Sequence, residues 1–553
     1  MPFAAGVLHA RKMWPLKRSA ADPASGSAPA AGSGAVIFVI GLLLLATLPM
    51  LFVAFPPVLD YPNHLARIWL LSGGMDAWPF STMYEAVWSQ ASTNIGVDFV
   101  AAGLMRVLPF AVIDKGLQVA MILGPPLGAV LLNRALFGGF HPWQAAALFF
   151  AWSTTAIAGF LNFQIGLAAA LCAAVLCRHL GKRGIITTGA AFVAVAAALL
   201  LVHPFALFFF AVLMGGLSLG DRWDAVVAVD QRFHHIRSLG VLALACGLPL
   251  LFLFLIAPNP PGAHAGLEPE GPLTFGELFN PLRIAKMFAS PLLSYDARID
   301  LFFALPLVAI VGWALWTRRL RVHAGLMIAC LGLALLTLIA PRSIGDATWI
   351  QRRLPPMLAL AFVAGVRPQF GALRTDRVAA LLLGLALCLR IAWIGMVWSE
   401  RERDLWQMFA VTRLVPAGSS LLVLRQDWRA GTAVPVGRVM AGGPGPMVET
   451  QRHWPALALI RDRVFLPTLF TVPGQQPLRV RPPWRALSTH VSAIPFPAML
   501  GQSAPSDAYL QRWRAFDYIL LINADLPTDH PLTARAVTRA AGNGFAALYR
   551  IEH

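Results

Sequence analysis

A succession of long apolar segments constrains what this 553-residue chain can fold into. The first, at residues 35–55, contains only apolar and small side chains. At 1.5 Å per residue, a helix of about twenty residues crosses a hydrocarbon core of about 30 Å. Charged residues make up only 13% of the chain, whereas soluble domains average roughly a quarter. The chain is therefore predicted to reside in a membrane.

Ten further apolar segments lie between residues 114 and 398. With the first, they predict an all-α polytopic membrane protein of about eleven transmembrane helices. Two pairs, which meet near residues 160 and 203, are so closely spaced that each could be one long broken segment. The ten segments are 114–136, 142–160, 163–180, 184–202, 204–220, 238–257, 301–317, 323–340, 354–367 and 378–398.

The distribution of basic residues predicts the orientation in the membrane. Residues 1–34 carry a basic cluster and then an Ala/Ser/Gly/Pro stretch, which predicts a disordered cytoplasmic N-terminus. The alternate loops, predicted to be inside, are rich in Arg and Lys, as expected for a bacterial plasma (inner) membrane. The predicted outer loops are 56–113, 258–300 and 341–353. The inner basic residues are Arg134, Arg178, Lys182, Arg183, Arg222, Arg232, Arg237, Arg318, Arg319, Arg321, Arg367, Arg374 and Arg377.

The composition changes at about residue 399, where Pro, Gly, Arg and Gln rise and the apolar runs shorten. Residues 420–424, 516–523 and 545–551 are rich in branched and aromatic side chains, which is typical of short buried strands. Helices are predicted over 508–516 and 532–541. An odd number of spans places this region outside, so 399–553 is predicted to be a small extracytoplasmic α/β domain.

The formal net charge of +17 suggests nucleic acid as one class of partner. The basic residues, however, lie in short clusters between apolar segments, which indicates membrane orientation and no nucleic acid. All five cysteines lie inside apolar segments and predict neither a disulfide nor a zinc site. No glycine-rich phosphate loop occurs between a strand and a helix, so no nucleotide cofactor is predicted.

Polar residues concentrate directly after the first span. Two prolines end that span, because proline cannot continue the helical hydrogen-bond ladder, and Asp60 follows them. Asn63, His64 and Arg67 come next, at spacings that suit one face of a short helix. The Asp60 carboxylate could cap that helix. Alternatively, it could be a general base whose pKa burial raises and nearby cations lower, and the local concentration of polar groups favours this second interpretation.

Asp98 offers a second carboxylate in the same outer loop. It lies on the apolar stretch 97–109, which is too short to span a membrane and predicts an interfacial or re-entrant helix. Near Asp60, it could hold an acceptor or contribute oxygen ligands to a divalent cation. A helix cap or a surface charge is the alternative.

Three outer arginines depart from the inside bias: Arg342, Arg352 and Arg353. A guanidinium fork suits a phosphate, and lipid phosphates lie at this depth. The alternative is contact with lipid headgroups or a salt bridge to Asp346. His203 is also expected on this side, where a lone histidine before a proline more often has a structural role.

The string DYPNHLAR at 60–67 resembles one in a bacterial branch of the GT-C class of integral-membrane glycosyltransferases. The strings GFLNF at 159–163, RRLP at 352–355 and ALYR at 547–550 are similar to sequences in the same branch. The resemblance implies a GT-C-like fold over 35–398, with Asp60 as the base that activates the acceptor. It also implies a polyprenyl-phosphate-linked sugar as donor and inversion at the anomeric carbon.

The sequence therefore predicts a transferase that moves a sugar to an envelope glycan, lipid or protein. In this prediction Asn63, His64, Arg67 and Asp98 orient the base or the acceptor, and Arg342, Arg352 and Arg353 bind the donor phosphate. The chain lacks the Asp-Glu pair of the mannosyl- and aminoarabinosyl-transferring relatives and the Trp-Trp-Asp motif of oligosaccharyltransferases. No cofactor is certain, and a divalent cation stays open. A transporter or lipid-carrier flippase, or a non-catalytic envelope scaffold, is the rival hypothesis.

Overall fold

The structure is a computed structural model that describes most of the chain. The described residues are 33–180, 185–221, 229–256, 273–274, 280–344, 349–370, 373–425, 450–472, 475–488, 494–495, 510–526 and 537–553. Residues 1–32 of the predicted N-terminal segment, and residues 258–272 and 275–279 of the predicted loop 258–300, lie outside these ranges. Over the described residues the protein is mainly helical, with a small sheet near the C-terminus.

Five described helices are long and apolar enough to cross a membrane, which supports a multi-pass membrane protein. They are Ser33–Phe52, Phe110–Phe137, Leu161–Leu180, Ala297–Trp316 and Arg374–Thr412. Shorter apolar helices cover several of the other predicted segments. These are Ile186–Val202, Pro204–Gly220, Leu239–Phe252 and Ala324–Ile339, whereas Gly96–Met105 lies in the stretch predicted to be an interfacial or re-entrant helix.

The α-helices have the following bounds in chain order. They are α1 Ser33–Leu45, α2 Leu48–Phe52, α3 Tyr61–Trp69, α4 Phe80–Met83, α5 Gly96–Met105, α6 Phe110–Phe137, α7 Thr154–Ile157, α8 Leu161–Leu180, α9 Ile185–Val202, α10 Pro204–Asp221, α11 Val229–Ile256, α12 Pro281–Ala289, α13 Ala297–Trp316, α14 Ala324–Ile339, α15 Ile350–Gly365, α16 Leu373–Thr412 and α17 Ala456–Asp462. Short 3₁₀-helices cover Trp88–Gln90, Pro142–Phe150, Thr450–His453, Trp484–Leu487 and Leu510–Ala515.

The predicted spanning α-helix over 142–160 is wrong. The structure has a 3₁₀-helix at Pro142–Phe150, a turn at residues 151–152 and then the short α7. Nearly every side chain of this segment is buried. Its apolar composition reflects enclosure by protein, because irregular backbone at membrane depth is tolerated only where protein or water surrounds it. We call residues 142–160 the buried traverse.

The Arg390 side chain and the Ser290 backbone satisfy polar backbone groups of the buried traverse. Arg390 on α16 donates to the carbonyl of Phe149 at 2.8 Å and to that of Leu292 at 2.6 Å. The same guanidinium lies 3.4 Å from the buried carboxylate of Asp300. The Thr154 amide donates to the carbonyl of Ser290 at 3.1 Å. These bonds hold the traverse without a regular α-helical ladder.

Basic residues of three predicted inner loops meet at one end of the helical bundle. The Arg367 guanidinium is within 3.4 Å of the Phe137 carbonyl, and the Arg321 guanidinium lies 5.6 Å from the Phe137 ring centroid. Arg319 donates to the carbonyl of Phe370 at 3.0 Å. Three of the loops that the sequence assigned to the inner side therefore cluster in space.

The C-terminal region contains a five-stranded sheet, formed in order by Val537–Gly542 (β10), Ala546–Ile551 (β11), Tyr518–Ile522 (β9), Leu421–Arg425 (β6) and Ile494–Pro495 (β8). Strand β6 is parallel to β9 and β8, whereas β11 is antiparallel to β9 and β10. The three predicted strands are confirmed. The helix predicted over 532–541 is wrong from Val537 onward, because pairing with β11 overrides the local helical preference.

Two connections join the C-terminal region to the membrane part. Helix α16 continues to Thr412 without a break at the predicted boundary near residue 399. Strand β1 (Tyr84–Ala86), in the first outer loop, pairs antiparallel with β7 (Leu478–Val480). The remaining described strands form two-stranded pairs, in which β2 (Leu273–Thr274) pairs with β4 (Ser343–Ile344) and β3 (Leu320–Val322) pairs with β5 (Val366–Pro368). The C-terminal region thus packs over the loop that carries Asp60.

Candidate active site

The backbone of Asp60 is fixed against the end of the buried traverse. The amides of Leu59 and Asp60 donate to the carbonyls of Ile157 and Ala158, each at 3.0 Å. Gly159 has a φ of +70°, and a Cβ there would lie 2.7 Å from the Asp60 nitrogen. Only glycine permits this approach, because a side chain would be strained and would clash with backbone. The traverse therefore sets the position of Asp60.

The Asp60 side chain does not cap helix α3, so the capping interpretation is wrong. Its side chain is only 18% exposed. Burial raises the pKa of Asp60 to about 7, although the guanidinium groups of Arg353, Arg452 and Arg67 act to lower it. A carboxyl group with a pKa near neutrality is well matched to accept a proton in general base catalysis.

His453, from the C-terminal region, lies beside Asp60. Its Nε2 is 3.5 Å from Asp60 Oδ1, and its Nδ1 is 2.6 Å from Nδ2 of the buried Asn63. Burial, together with Arg452 and Arg425, lowers the pKa of His453 to about 3, so the ring is neutral. The edge of Phe470 contacts both His453 and His64, at 5.2 and 5.7 Å between ring centroids.

Arg67 and Asp98 form a buried bidentate ion pair. The Arg67 Nε and Nη2 donate to the two Asp98 oxygens at 2.8 and 3.0 Å, and both side chains are essentially inaccessible to solvent. Arg67 Nη2 is also 2.9 Å from Nδ1 of His64. Because a guanidinium can only donate, the neutral His64 carries its proton on Nε2. Arg67 and Asp98 therefore orient His64, and the surface-charge and helix-cap interpretations of Asp98 are wrong.

Arg353 lies in an aromatic cage. Its guanidinium carbon is 4.5, 5.3 and 5.5 Å from the ring centroids of Phe160, Phe163 and Phe205. Its Nη1 is 3.0 Å from Nε2 of His203. The charge of Arg353 is the largest of the cationic influences on Asp60. An anion held by Arg353 would therefore be bound close to the candidate base.

The other two predicted arginines lie farther toward the surface. Arg352 stacks on Trp349, with 4.2 Å between the guanidinium carbon and the ring centroid. Trp349 in turn contacts Phe160 of the aromatic cage at 5.4 Å. Arg342 is exposed, and Asp346, the alternative salt-bridge partner, lies outside the described residues. Arg352 is thus linked to the Arg353 cage through Trp349.

The groups around Asp60 do not fit a divalent cation. Among the described residues, no cluster of three or more His, Cys, Asp or Glu side chains has a ligand geometry. Both oxygens of Asp98, the second carboxylate considered as a ligand, bond to Arg67. Three guanidinium groups also act on Asp60. This concentration of positive charge suits an anionic ligand.

His453, Arg452 and Phe470 were missed by the sequence prediction. They lie in a segment without strong periodicity, and Asn63 and His453 are 390 positions apart. The string TQRHW at 450–454, which combines polar and aromatic residues, was the available signal. It is weak, because such strings are common on domain surfaces.

Comparison with known proteins finds a structural similarity but no match in sequence. No protein family and no curated protein matches the sequence. Among solved structures, the chain is similar to the crystal structure of ArnT from Cupriavidus metallidurans in the apo state. The two are 12% identical, with a TM-score of 0.48, over 94% of this chain and 97% of that chain. A similarity at this level assigns no role to any residue.

Proposed function

We propose that this protein is a membrane glycosyltransferase of the GT-C class, with Asp60 as its general base. In this proposal it moves a sugar from a polyprenyl-phosphate-linked donor to an envelope glycan, lipid or protein. It acts at the outer face of a bacterial plasma membrane, with the N-terminus in the cytoplasm and residues 399–553 outside. The observation that carries the proposal is the recessed Asp60 carboxyl, with a pKa of about 7, beside the Arg353 cage.

The proposed reaction is a single inverting displacement. Asp60, in its carboxylate form, takes the proton of an acceptor hydroxyl as that oxygen attacks the anomeric carbon. The new C–O bond forms on one face of the sugar while the bond to the phosphate oxygen breaks on the other. The leaving group keeps its electron pair as polyprenyl phosphate, and Asp60 later releases the proton to water.

The arginines supply the anion site for that leaving group. The guanidinium of Arg353 lies against three rings, which fix its plane. The directions of its N–H donors are fixed with that plane. Arg352, stacked on Trp349, is placed to contact the lipid phosphate nearer the surface. Donation to the phosphate oxygens would stabilise the charge that develops as the bond to the sugar breaks.

His64 contributes a neutral donor next to the base. The ion pair of Asp98 with Arg67 presents Arg67 Nη2 to His64 Nδ1, which leaves Nε2–H free to donate to a sugar or acceptor oxygen. Burial and Arg67 lower the pKa of His64 well below its ordinary value, so this donor stays uncharged at neutral pH. It would orient the substrate without competing for the proton that Asp60 accepts.

The test is an Asp60→Asn exchange in a strain that lacks the chromosomal copy. Envelope glycans and lipids of the deletion strain, compared with wild type by mass spectrometry, identify the product. Asp60→Asn should then reduce that product by at least about a hundredfold, the lower range for losing a general base. The protein should remain in the membrane at wild-type abundance.

Asp76→Asn is the matched control, because Asp76 is an exposed carboxylate in the same outer loop. It should leave the product unchanged. Full product with Asp60→Asn would contradict the enzyme assignment and favour a scaffold. Movement of a labelled polyprenyl-phosphate sugar across vesicles by the purified protein, without transfer to an acceptor, would favour the flippase.

A further inference from the structure

The C-terminal region places one side chain, His453, directly against the proposed base. Among the residues that the structure describes, it is the imidazole paired with Asp60, at 3.5 Å between Nε2 and Oδ1. His453 is itself only 6% exposed, and it follows Gln451 and Arg452 in a short 3₁₀-helix at Thr450–His453. This contact joins the last quarter of the chain to the loop after the first span.

Asn63 determines which nitrogen of His453 carries the proton. The Asn63 amide nitrogen, which can only donate, lies 2.6 Å from Nδ1. Nδ1 must therefore accept, and the neutral ring carries its hydrogen on Nε2, the nitrogen that faces Asp60. The opposite amide orientation would direct a lone pair of Nε2 at the Asp60 carboxylate, which is repulsive when Asp60 is ionised.

We propose that His453, held in its Nε2–H tautomer by Asn63, is a positioning residue that orients the Asp60 carboxylate toward the acceptor. The proposal rests on the function assigned above. One carboxylate oxygen faces the imidazole N–H, which leaves the other free for the acceptor hydroxyl. The 3.5 Å separation is at the outer limit of a hydrogen bond, and such contacts commonly shorten when substrate binds.

The arrangement makes the active site composite. Asp60, Asn63, His64 and Arg67 come from the loop and helix after the first span, and Arg353 comes from α15. His453 comes from a region that reaches the site through the β1–β7 pairing and the packing of α17 near α3. The membrane part alone therefore lacks a group that holds the base.

Two variants of nearly matched size separate hydrogen bonding from packing. His453→Gln keeps an N–H donor, whereas His453→Leu fills similar space and has no donor. In the strain used for Asp60, His453→Leu should reduce the product about tenfold or more, as expected for a lost bond to a charged group. His453→Gln should retain product within about threefold of wild type.

A second measurement needs no knowledge of the substrate. Dicyclohexylcarbodiimide modifies protonated carboxyl groups in apolar surroundings, and the modified Asp60 peptide can be quantified by mass spectrometry between pH 5 and pH 9. Charged or titratable groups near Asp60 are Arg67 and His64 from α3, Arg353 from α15, and Arg452 and His453 from the C-terminal region. Burial lowers the pKa of both imidazoles, so they stay neutral over that range and the labelling midpoint reports Asp60.

The midpoint should lie near pH 7 in the wild-type protein. His453→Leu should raise it by about one pH unit, because the ionised form loses its donor while the site stays buried. His453→Gln should leave it nearly unchanged. A purely structural role of His453 would change abundance or folding in both variants without this difference between them.

The outcomes separate this proposal from the function on which it rests. Product retained in Asp60→Asn would overturn the glycosyltransferase assignment. Product lost in Asp60→Asn but equal in the two His453 variants, with equal midpoints, would overturn the positioning role alone. If His453→Leu does not accumulate, Asn63→Leu keeps His453 and removes only the bond that fixes its tautomer, and an unchanged product and midpoint there would also overturn it.

Discussion

Asp60→Asn should stabilise the protein at alkaline pH while it abolishes transfer. Burial raises the pKa of Asp60 from 3.8 to about 7. The folded state therefore binds this proton more tightly than the unfolded state does, and stability falls as the pH rises from about 4 to 7. A shift of about three units corresponds to about 4 kcal/mol, at 1.36 kcal/mol per unit. Asparagine has the shape of the protonated carboxyl group and cannot ionise, so it avoids this loss.

The assay is thermal unfolding of the purified protein in lipid nanodiscs, followed by tryptophan fluorescence at pH 5 and pH 8. The Asn variant should gain about 4 kcal/mol relative to wild type at pH 8 and less than half of that at pH 5. Asp76→Asn, at an exposed position, should gain nothing at either pH. An equal effect of Asp60→Asn at both values, or a loss at pH 8, would refute a buried carboxyl with a raised pKa.

Two further exchanges test how the site is built. Gly159→Ala should lower the product strongly while the protein stays in the membrane. The reason is that the added Cβ would lie 2.6 Å from the Tyr61 nitrogen and would displace Asp60. An unchanged product level would contradict the role of the buried traverse in positioning Asp60. Asp98→Leu should cost about 3–5 kcal/mol of unfolding free energy by leaving Arg67 buried without its partner, measured by the same thermal assay. The double exchange with Arg67→Met should recover much of that stability but not the product.

The membrane helices could be predicted because the bilayer imposes their length and apolarity. The buried traverse could not, since an apolar run enclosed by protein has the same composition as one that faces lipid. The prediction for residues 537–541 failed because the local sequence did not reveal a tertiary partner. Their sequence suits a helix, and only the antiparallel partner β11 makes them a strand.

The site residues that lie close together in the chain, after the first span, could also be predicted from the sequence. The first span ends shortly before the prolines, and the spacing of Asn63, His64 and Arg67 predicts the helix α3 on which all three lie. Their partners come from remote positions, namely His453 for Asn63 and Asp98 for Arg67. A pattern within one short segment cannot specify such contacts, so the sequence predicted the residues but not the pairs they form.

The buried traverse has a consequence for the order in which this protein assembles. Four helices surround its 3₁₀-helix, namely α1, α6, α15 and α16. The last of these ends at Thr412, so during synthesis residues 142–150 leave the insertion machinery long before their surroundings are complete. Until α16 arrives with Arg390, the Phe149 carbonyl lacks its donor. The buried traverse, which positions Asp60, thus reaches its final structure late. A nascent chain truncated before α16 would contain Asp60 but would lack some of the contacts that position it.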